Sequence, residues 1–196
     1  MFGGAFDPPH HAHVALAQAA LSQLALNVLH VVPTGDAWHK PRELTPGVHR
    51  LAMCQEVFAS MQNVVVDDLE LKRQGPSYTV DTLAALRARY PGAVFYVVLG
   101  QDQSERFDQW HQSSQILAWA QLAIAARPGH ALEKLASPEW HNPQHLHLNM
   151  PLMPLSATDI RQRFRTGEDL TSVLSASVIQ YIQNNHLYLD HHDRSL

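Results

Sequence analysis

Four short, continuous apolar runs constrain the fold of this 196-residue chain more than any other feature. They cover residues 28–32, 64–66, 94–99 and 122–126. Continuous apolar runs are typical of strands that are buried on both faces of a parallel sheet. The segments around them have helical patterns, near residues 13–25, 46–60, 79–90 and 113–119. This alternation predicts an α/β fold with a doubly wound parallel sheet and right-handed crossovers.

The C-terminal third of the chain is less sheet-like. Residues 130–145 are rich in Pro and His and predict an irregular segment. Two helices are expected beyond it, at residues 159–165 with Thr158 as a cap and at residues 175–184. The sequence therefore predicts a helical segment after the sheet.

Composition excludes several classes of protein. No apolar run approaches the roughly 20 residues that a membrane span needs, and no secretion signal is visible. The formal net charge of −4 argues against broad affinity for nucleic acid, which requires a basic surface. The single cysteine, Cys54, lies in an apolar helical pattern and predicts a small buried hydrophobe. We expect a cytoplasmic protein with one domain over residues 1–190 and a disordered tail at 191–196.

The N-terminal run Gly3-Gly4-Ala5-Phe6-Asp7-Pro8-Pro9-His10-His11-Ala12-His13 combines several features of a phosphate site. Its two glycines predict a tight turn that lets a ligand approach the backbone. Asp7 is expected to cap a helix with Pro8 in its first turn. His10 and His13 would then share one face of that helix. Backbone N–H groups, a helix N-terminus and imidazoles favour phosphate binding, with a surface pair of histidines as the alternative.

Further candidate residues follow the predicted strands, at residues 33–40, 100–102 and 127–129. Ligands of doubly wound sheets bind at these carboxyl ends. The first strand is unusual, because only Met1 and Phe2 precede Gly3. Two interpretations are open: a very short central strand, or a true start that lies upstream.

The run at residues 3–13 resembles the nucleotidyltransferase signature Gly-Gly-Thr/Ser-Phe-Asp-Pro-x-His-x-Gly-His. Residues 155–161, Leu-Ser-Ala-Thr-Asp-Ile-Arg, resemble the second motif of that superfamily, Ile-Ser-Ser/Ala-Thr-x-Ile-Arg. The segments Pro-Ser-Tyr-Thr-Val-Asp-Thr-Leu at 76–83 and Gly-Gln-Asp at 100–102 are similar to those of the bacterial nicotinate-nucleotide adenylyltransferases. The resemblance covers nearly the whole chain and implies a Rossmann-like nucleotidyltransferase fold.

The resemblance implies an enzyme of NAD biosynthesis. Such an enzyme transfers the adenylyl group of ATP to nicotinate mononucleotide and releases pyrophosphate. The attacking phosphate is already an oxyanion near neutral pH, so positioning and charge neutralisation suffice without a general base. Mg²⁺ is implied with the triphosphate, and because it keeps several waters no carboxylate cage is expected. The sequence does not indicate an oligomeric state.

The resemblance assigns three catalytic residues, His10, His13 and Arg161, which would contact the triphosphate. His13 would lie nearest the α-phosphate, and the forked guanidinium of Arg161 suits phosphate oxygens. Asp102 could instead cap the helix that follows it. The other residues expected to bind ATP are Gly3, Gly4, Ala5, Phe6, Gly100, Asp102, Ser156, Thr158 and Ile160.

The resemblance also implies an acceptor site. Trp110 would stack on the nicotinate ring, and backbone N–H groups at Tyr78 and Thr79 would meet the pyridine carboxylate. A surface location is an equal alternative for Lys40. The residues expected to bind the acceptor are His39, Lys40, Tyr78, Thr79, Trp110 and Arg127.

Two positions depart from the superfamily pattern. Ala5 stands where Thr or Ser is usual, and Ala12 stands where Gly is usual between the histidines. These departures motivate the alternative of a nucleotide-binding sensor without catalysis. Pantetheine-phosphate adenylyltransferase is another alternative, although its signature usually has Thr in place of His10. Preference for nicotinamide mononucleotide and a His-rich metal-binding module are also open, the latter without consistent ligand spacing.

Overall fold

A computed structural model describes residues 1–35, 44–125, 145–151 and 153–189. The strands in these ranges are β1 (Phe2–Gly4), β2 (Leu29–Pro33), β3 (Val64–Val66), β4 (Tyr96–Gly100), β5 (Gln121–Ala125) and β6 (His145–Leu148). The α-helices are α1 (His11–Gln23), α2 (Gly47–Phe58), α3 (Thr79–Arg89), α4 (Gln101–Ser104), α5 (Ser113–Trp119), α6 (Ala157–Arg165) and α7 (Ala176–Asn184). A short 3₁₀ helix covers Phe107–Gln109.

The strands form two three-stranded parallel sheets, in the orders β1-β2-β3 and β4-β5-β6. Met1 joins them: its amino group donates to the Tyr96 carbonyl at 2.6 Å, and its carbonyl accepts from the Val98 N–H at 2.9 Å. The combined order β3-β2-β1-β4-β5-β6 is that of a doubly wound fold. The predicted fold class is therefore confirmed.

The first strand is short, with three residues, and pairs Phe2 with Val31. Gly3 and Gly4 lie in this strand, so the prediction of a glycine turn is wrong. The chain turns at Phe6 instead, where φ is 48°. A Cβ atom on Gly4 would lie only 3.0–3.3 Å from atoms of the Phe6 ring. The aromatic ring behind the strand, rather than a turn, is what requires glycine at position 4.

The predicted strands at 28–32, 64–66, 94–99 and 122–126 agree closely with β2 to β5, but β6 was not predicted. β6 extends the sheet in parallel to β5, with His145 opposite Leu122. His145 was expected to be irregular and instead begins this strand. Residues 130–144 of that expected irregular segment, and the expected tail at 191–196, lie outside the described residues.

Three apolar clusters hold the layers together. The first packs α1 and part of α2 on β1 and β2, and the second packs α3 and α5 on β4 and β5. Cys54 lies in the first cluster and is fully buried, which confirms its prediction as a small hydrophobe. The third packs α2 against α6 and α7, through Met53, Ile160, Leu174, Val178 and Ile182. Among the described helices none is long and apolar enough to cross a membrane.

Candidate active site

The candidate site lies at the carboxyl edge of the sheet. β1 ends at Gly4, β2 at Pro33 and β4 at Gly100. In a parallel sheet these ends share one edge, and helices that begin there point their N-termini towards it. The first motif follows β1, and Gly100 itself is the N-cap of α4. The alternative in which Asp102 caps that helix is therefore wrong.

Asp7 does not cap α1, which begins only at His11 with His10 as N-cap. A residue that precedes a proline is disfavoured in the helical conformation. This applies to both Asp7 and Pro8, which precede Pro8 and Pro9. Asp7 is instead buried, with 1% of its surface exposed. Its Oδ1 accepts from the Tyr188 hydroxyl at 2.7 Å, and its Oδ2 accepts from the Thr45 N–H at 3.3 Å. The carboxylate therefore fixes the loop in place.

His10 and His13 form a close pair at the start of α1. Their ring centroids are 3.7 Å apart, with an angle of 31° between the planes. The backbone N–H of His10 donates to Nδ1 of His13 at 3.1 Å. Because Nδ1 accepts this hydrogen bond, the neutral ring carries its proton on Nε2. The Phe6 ring packs edge-on at 5.0 Å, so both the tautomer and the orientation of His13 are set.

Both imidazoles are neutral near pH 7. Burial, with a smaller effect of the neighbouring His11, lowers the pKa of His10 to about 4. Burial and then the neighbouring His10 lower the pKa of His13 well below its usual value. In the part of the chain that the structure describes, the buried Nδ1 of His10 has no hydrogen-bond partner. An unsatisfied buried polar atom beside this loop is the kind of group that a bound ligand satisfies.

Arg161 brings the second motif to the first. Its Nη1 donates to the backbone carbonyl of Asp7 at 2.7 Å, and its Nη2 donates to the Thr158 hydroxyl at 3.1 Å. Ser156 is the N-cap of α6, where its hydroxyl accepts from the Thr158 N–H at 3.2 Å. The predicted capping by Thr158 is therefore wrong. The two motifs, distant in sequence, meet as expected.

Phe6 and Ile160 lie in the core rather than on the surface of the site. Their side chains are 1% and 2% exposed. The Ile160 N–H is bonded within α6 to the Ser156 carbonyl at 3.0 Å. A direct side-chain contact with ATP is therefore not available to either residue, and both support the site from beneath. Gly3, Gly4 and Ala5 belong to β1 and the loop after it.

Three of the predicted acceptor residues lie at the start of α3 and beside it. Tyr78 is the N-cap of α3 and Thr79 is its first residue. The Tyr78 ring lies 4.2 Å from the His111 ring, and the adjacent Trp110 packs on Phe107 at 5.4 Å. His111 was not predicted, and only its position next to the tryptophan could have indicated it. His39, Lys40 and Arg127 lie outside the described residues.

Arg50 is a site residue that sequence reasoning missed. It is 2% exposed and donates to the carbonyls of Ala5 at 2.9 Å, Thr34 at 2.7 Å and Thr45 at 2.7 Å. Burial lowers its pKa, and the nearby Asp7 carboxylate opposes that shift. An arginine stays charged in such a site, so Arg50 adds positive potential at the sheet edge. Its position in the amphipathic α2 gave no sign of this role.

Comparison with known proteins agrees with the fold and the family resemblance. Residues 1–163 match the model of the cytidylyltransferase-like family. A protein of Albidiferax ferrireducens named "Probable nicotinate-nucleotide adenylyltransferase" is 47% identical over 190 residues, which is 96% of each chain. One with the same name from Methylibium petroleiphilum is 36% identical and covers 96% of this chain and 91% of its own.

A solved structure has the same fold at low identity. It is the Plasmodium falciparum nicotinic acid mononucleotide adenylyltransferase complexed with APC. The TM-score is 0.78 at 20% identity, over 95% of this chain and 94% of that one. The resemblance inferred from the sequence motifs is thus confirmed over nearly the full length. The chain belongs to the nicotinate-nucleotide adenylyltransferases, within the cytidylyltransferase-like family.

Proposed function

We propose that this chain transfers the adenylyl group of ATP to nicotinate mononucleotide, giving nicotinate adenine dinucleotide and pyrophosphate in NAD biosynthesis. The observation that carries the proposal is the hydrogen bond from Arg161 to Asp7, which sets a guanidinium beside the loop that holds His10 and His13. The names of the similar proteins support nicotinate mononucleotide as acceptor. A second Plasmodium falciparum structure of the same fold (TM-score 0.77, 21% identity) is complexed with NaAD.

In the proposed reaction an oxygen of the acceptor phosphate bonds to the α-phosphorus of ATP, and the bond to the bridging oxygen breaks. Pyrophosphate leaves with the electron pair. The Nε2–H of His13 donates to the reacting phosphate, and its fixed ring needs no reorganisation as charge develops. His10 contacts the triphosphate beside it. No residue has to accept a proton.

The N-terminus of α6 would receive the β- and γ-phosphates. Arg161 supplies a permanent charge there, and Ser156 and Thr158 supply hydroxyls in the first turn. The helix dipole adds to this attraction for anions. Gly3, Gly4 and Ala5 would approach the nucleotide through the backbone. Gly100, at the end of β4, and Asp102, in the first turn of α4, would approach the adenosine ribose.

The acceptor is proposed to bind at the start of α3. The N–H groups of the first turn of a helix attract a carboxylate, and Tyr78 and Thr79 form that turn. Trp110 offers an aromatic face for the nicotinate ring. The proposal keeps His39, Lys40 and Arg127 as further acceptor residues on the strength of the resemblance alone.

A divalent metal ion is proposed to enter with ATP rather than to be held by the protein. Within the described ranges no three or more His, Cys, Asp and Glu side chains are grouped to hold a metal. The groups at the site, a guanidinium, a hydroxyl and two imidazoles, do not provide the oxygen ligands that Mg²⁺ prefers. Mg²⁺ coordinated by phosphate oxygens and water fits the substrate, and MgATP would be the form that reacts.

The proposal also includes a single domain over residues 1–190 and a cytoplasmic location. The third apolar cluster supports the single domain, because it packs α6 and α7 directly on α2. The cytoplasmic location is proposed from the resemblance, and the buried free thiol of Cys54 is compatible with it.

A pyrophosphate-release assay tests the proposal. Purified protein receives ATP and Mg²⁺ with nicotinate mononucleotide, nicotinamide mononucleotide or phosphopantetheine, one at a time. Release that is fastest with nicotinate mononucleotide supports the proposed reaction. Release only with phosphopantetheine would show the pantetheine-phosphate activity instead. Binding of ATP without release with any acceptor would show a nucleotide sensor.

A further inference from the structure

Tyr188, near the C-terminal end of the described chain, bonds directly to the loop of the first motif. Its hydroxyl donates to Oδ1 of Asp7 at 2.7 Å, across 181 residues of sequence. Burial and the neighbouring Asp7 carboxylate both raise the pKa of this phenol. The hydroxyl therefore keeps its proton at neutral pH and donates it to the Asp7 carboxylate.

The helix that carries Arg161 also holds Tyr188. The Phe164 ring meets the Tyr188 ring at 6.4 Å and 76°, and Arg165 Nε donates to the Tyr188 carbonyl at 3.1 Å. The backbone of Tyr188 has a φ of 67°, which is uncommon for a bulky residue. Such a conformation persists where the surroundings fix it, and it is concentrated at functional sites. Tyr188 is thus held from α6 while its hydroxyl reaches Asp7.

Asp7 connects these contacts to the candidate catalytic residues. Its side chain binds Tyr188 and the Thr45 N–H, while its backbone carbonyl accepts from Arg161. His10 follows only three residues later and begins the histidine pair. A shift of Asp7 would therefore move the partner of Arg161 and the start of α1 together.

We propose that Tyr188 is a positioning residue for adenylyl transfer, which sets the distance between Arg161 and the histidine pair by fixing Asp7. This inference rests on the proposed function. In this proposal Tyr188 acts through Asp7 and is assigned no contact with substrate. The competing explanation is an anchor for the C-terminal segment, which would change stability without changing the use of ATP.

The test compares Tyr188→Phe with Tyr181→Phe as a matched control. The Tyr188 variant removes one oxygen and keeps the ring that packs on Phe164. Tyr181 lies in α7, and its hydroxyl pairs with Nδ1 of His49 at 3.1 Å rather than with Asp7. The measurements are kcat, KM for each substrate, the affinity of a non-hydrolysable ATP analogue by calorimetry, and Tm.

We expect Tyr188→Phe to lower kcat/KM for ATP by about tenfold or more and to weaken binding of the analogue, with KM for the acceptor unchanged. Tyr181→Phe should match the wild type in all of these. A Tyr188→Phe protein that differs from the wild type only in Tm would overturn the inference. So would equal losses of ATP use in both variants.

The analogue separates this inference from the proposed function. If the wild type releases no pyrophosphate with any acceptor, the proposed function fails, but the comparison of analogue affinities still decides the role of Tyr188. Equal affinities in the wild type and Tyr188→Phe then overturn it, as does a wild type that does not bind the analogue.

Discussion

Nη1 of Arg161 lies 2.7 Å from the backbone oxygen of Asp7, although 154 residues separate them in the chain. The bond fixes the start of α6 against the loop between β1 and α1. Since the guanidinium also bonds to Thr158, its plane is held from two sides. The site thus has a charged group whose direction is set before any ligand arrives.

Replacing Arg161 with lysine should lower kcat/KM for ATP by about a hundredfold, because an ammonium keeps the charge but loses the forked geometry. The matched control is Arg163→Lys on the same helix, where Nε pairs with Glu168 at 3.2 Å. Steady-state kinetics with varied ATP is the measurement. Similar kinetics in both variants would remove Arg161 from the proposed mechanism.

His13→Ala should reduce kcat by a factor on the order of 10², the usual effect of losing one donor to the transition state. His11→Ala is the control, because the His11 Nδ1 pairs with the Ser172 carbonyl at 3.1 Å. Single-turnover measurements at saturating substrates would isolate the chemical step. An unchanged rate in His13→Ala would exclude the donor role.

Trp110→Ala should raise KM for the acceptor by about tenfold and leave the ATP affinity unchanged, since stacking on an aromatic face is lost. Trp119→Phe serves for comparison, because the Trp119 ring packs against Arg87 of α3 instead. The Arg87 Cζ atom lies 4.6 Å from the ring centroid. Substrate titrations of both variants decide the point. The reverse pattern would place Trp110 on the adenine side.

The buried His10 predicts that stability depends on pH. Its pKa is about 4 in the folded chain and near 6.5 when unfolded, so the unfolded state binds more protons between these values. This contribution is complete above pH 6.5 and is lost as the pH falls towards 4, by on the order of 3 kcal/mol. Urea unfolding of the wild type and of His10→Gln at pH 7.5 and pH 5 measures it. The variant should lose less stability on acidification; equal losses would contradict the assignment.

Arg50→Met should destabilise the fold by about 3 kcal/mol, because three partly buried carbonyls lose the donor that they share. Arg50→Lys should also be destabilised, since one ammonium cannot replace three directed bonds. Denaturant midpoints give the comparison. Wild-type stability in either variant would show that the loops at Ala5, Thr34 and Thr45 keep their conformation without the Arg50 side chain.

Local patterns in the sequence were sufficient for much of the fold. The apolar runs gave β2 to β5, and the expected helix at 79–90 is α3 to within one residue. The strand β6 was not predicted, because its sequence is not a continuous apolar run. His145 and His147 alternate with Leu146 and Leu148. That alternation of polar and apolar residues is itself a strand signal for a sheet edge.

The sequence predicted those parts of the candidate site that depend on neighbouring residues or on the family motifs. It did not predict the contacts between other residues that are distant in sequence. The proximity of His10 and His13 followed from their spacing, whereas the meeting of the two motifs followed only from the family resemblance. The predicted role of Asp7 as a helix cap was wrong because its actual partners, Thr45 and Tyr188, are distant in sequence. The two prolines that follow Asp7 already indicated that a helix would not begin there. Arg50 carries no local signal, since its three acceptors are backbone carbonyls of other loops.

The Phe6 ring fills the space that a side chain at Gly4 would need, and it lies edge-on to His13. A side chain at position 4 would require the Phe6 ring, which contacts His13, to shift. A substitution in β1 would then act on the orientation of His13 through the ring that lies between them. The preference for glycine at this position would come from the aromatic neighbour as well as from the approach of the nucleotide to the backbone.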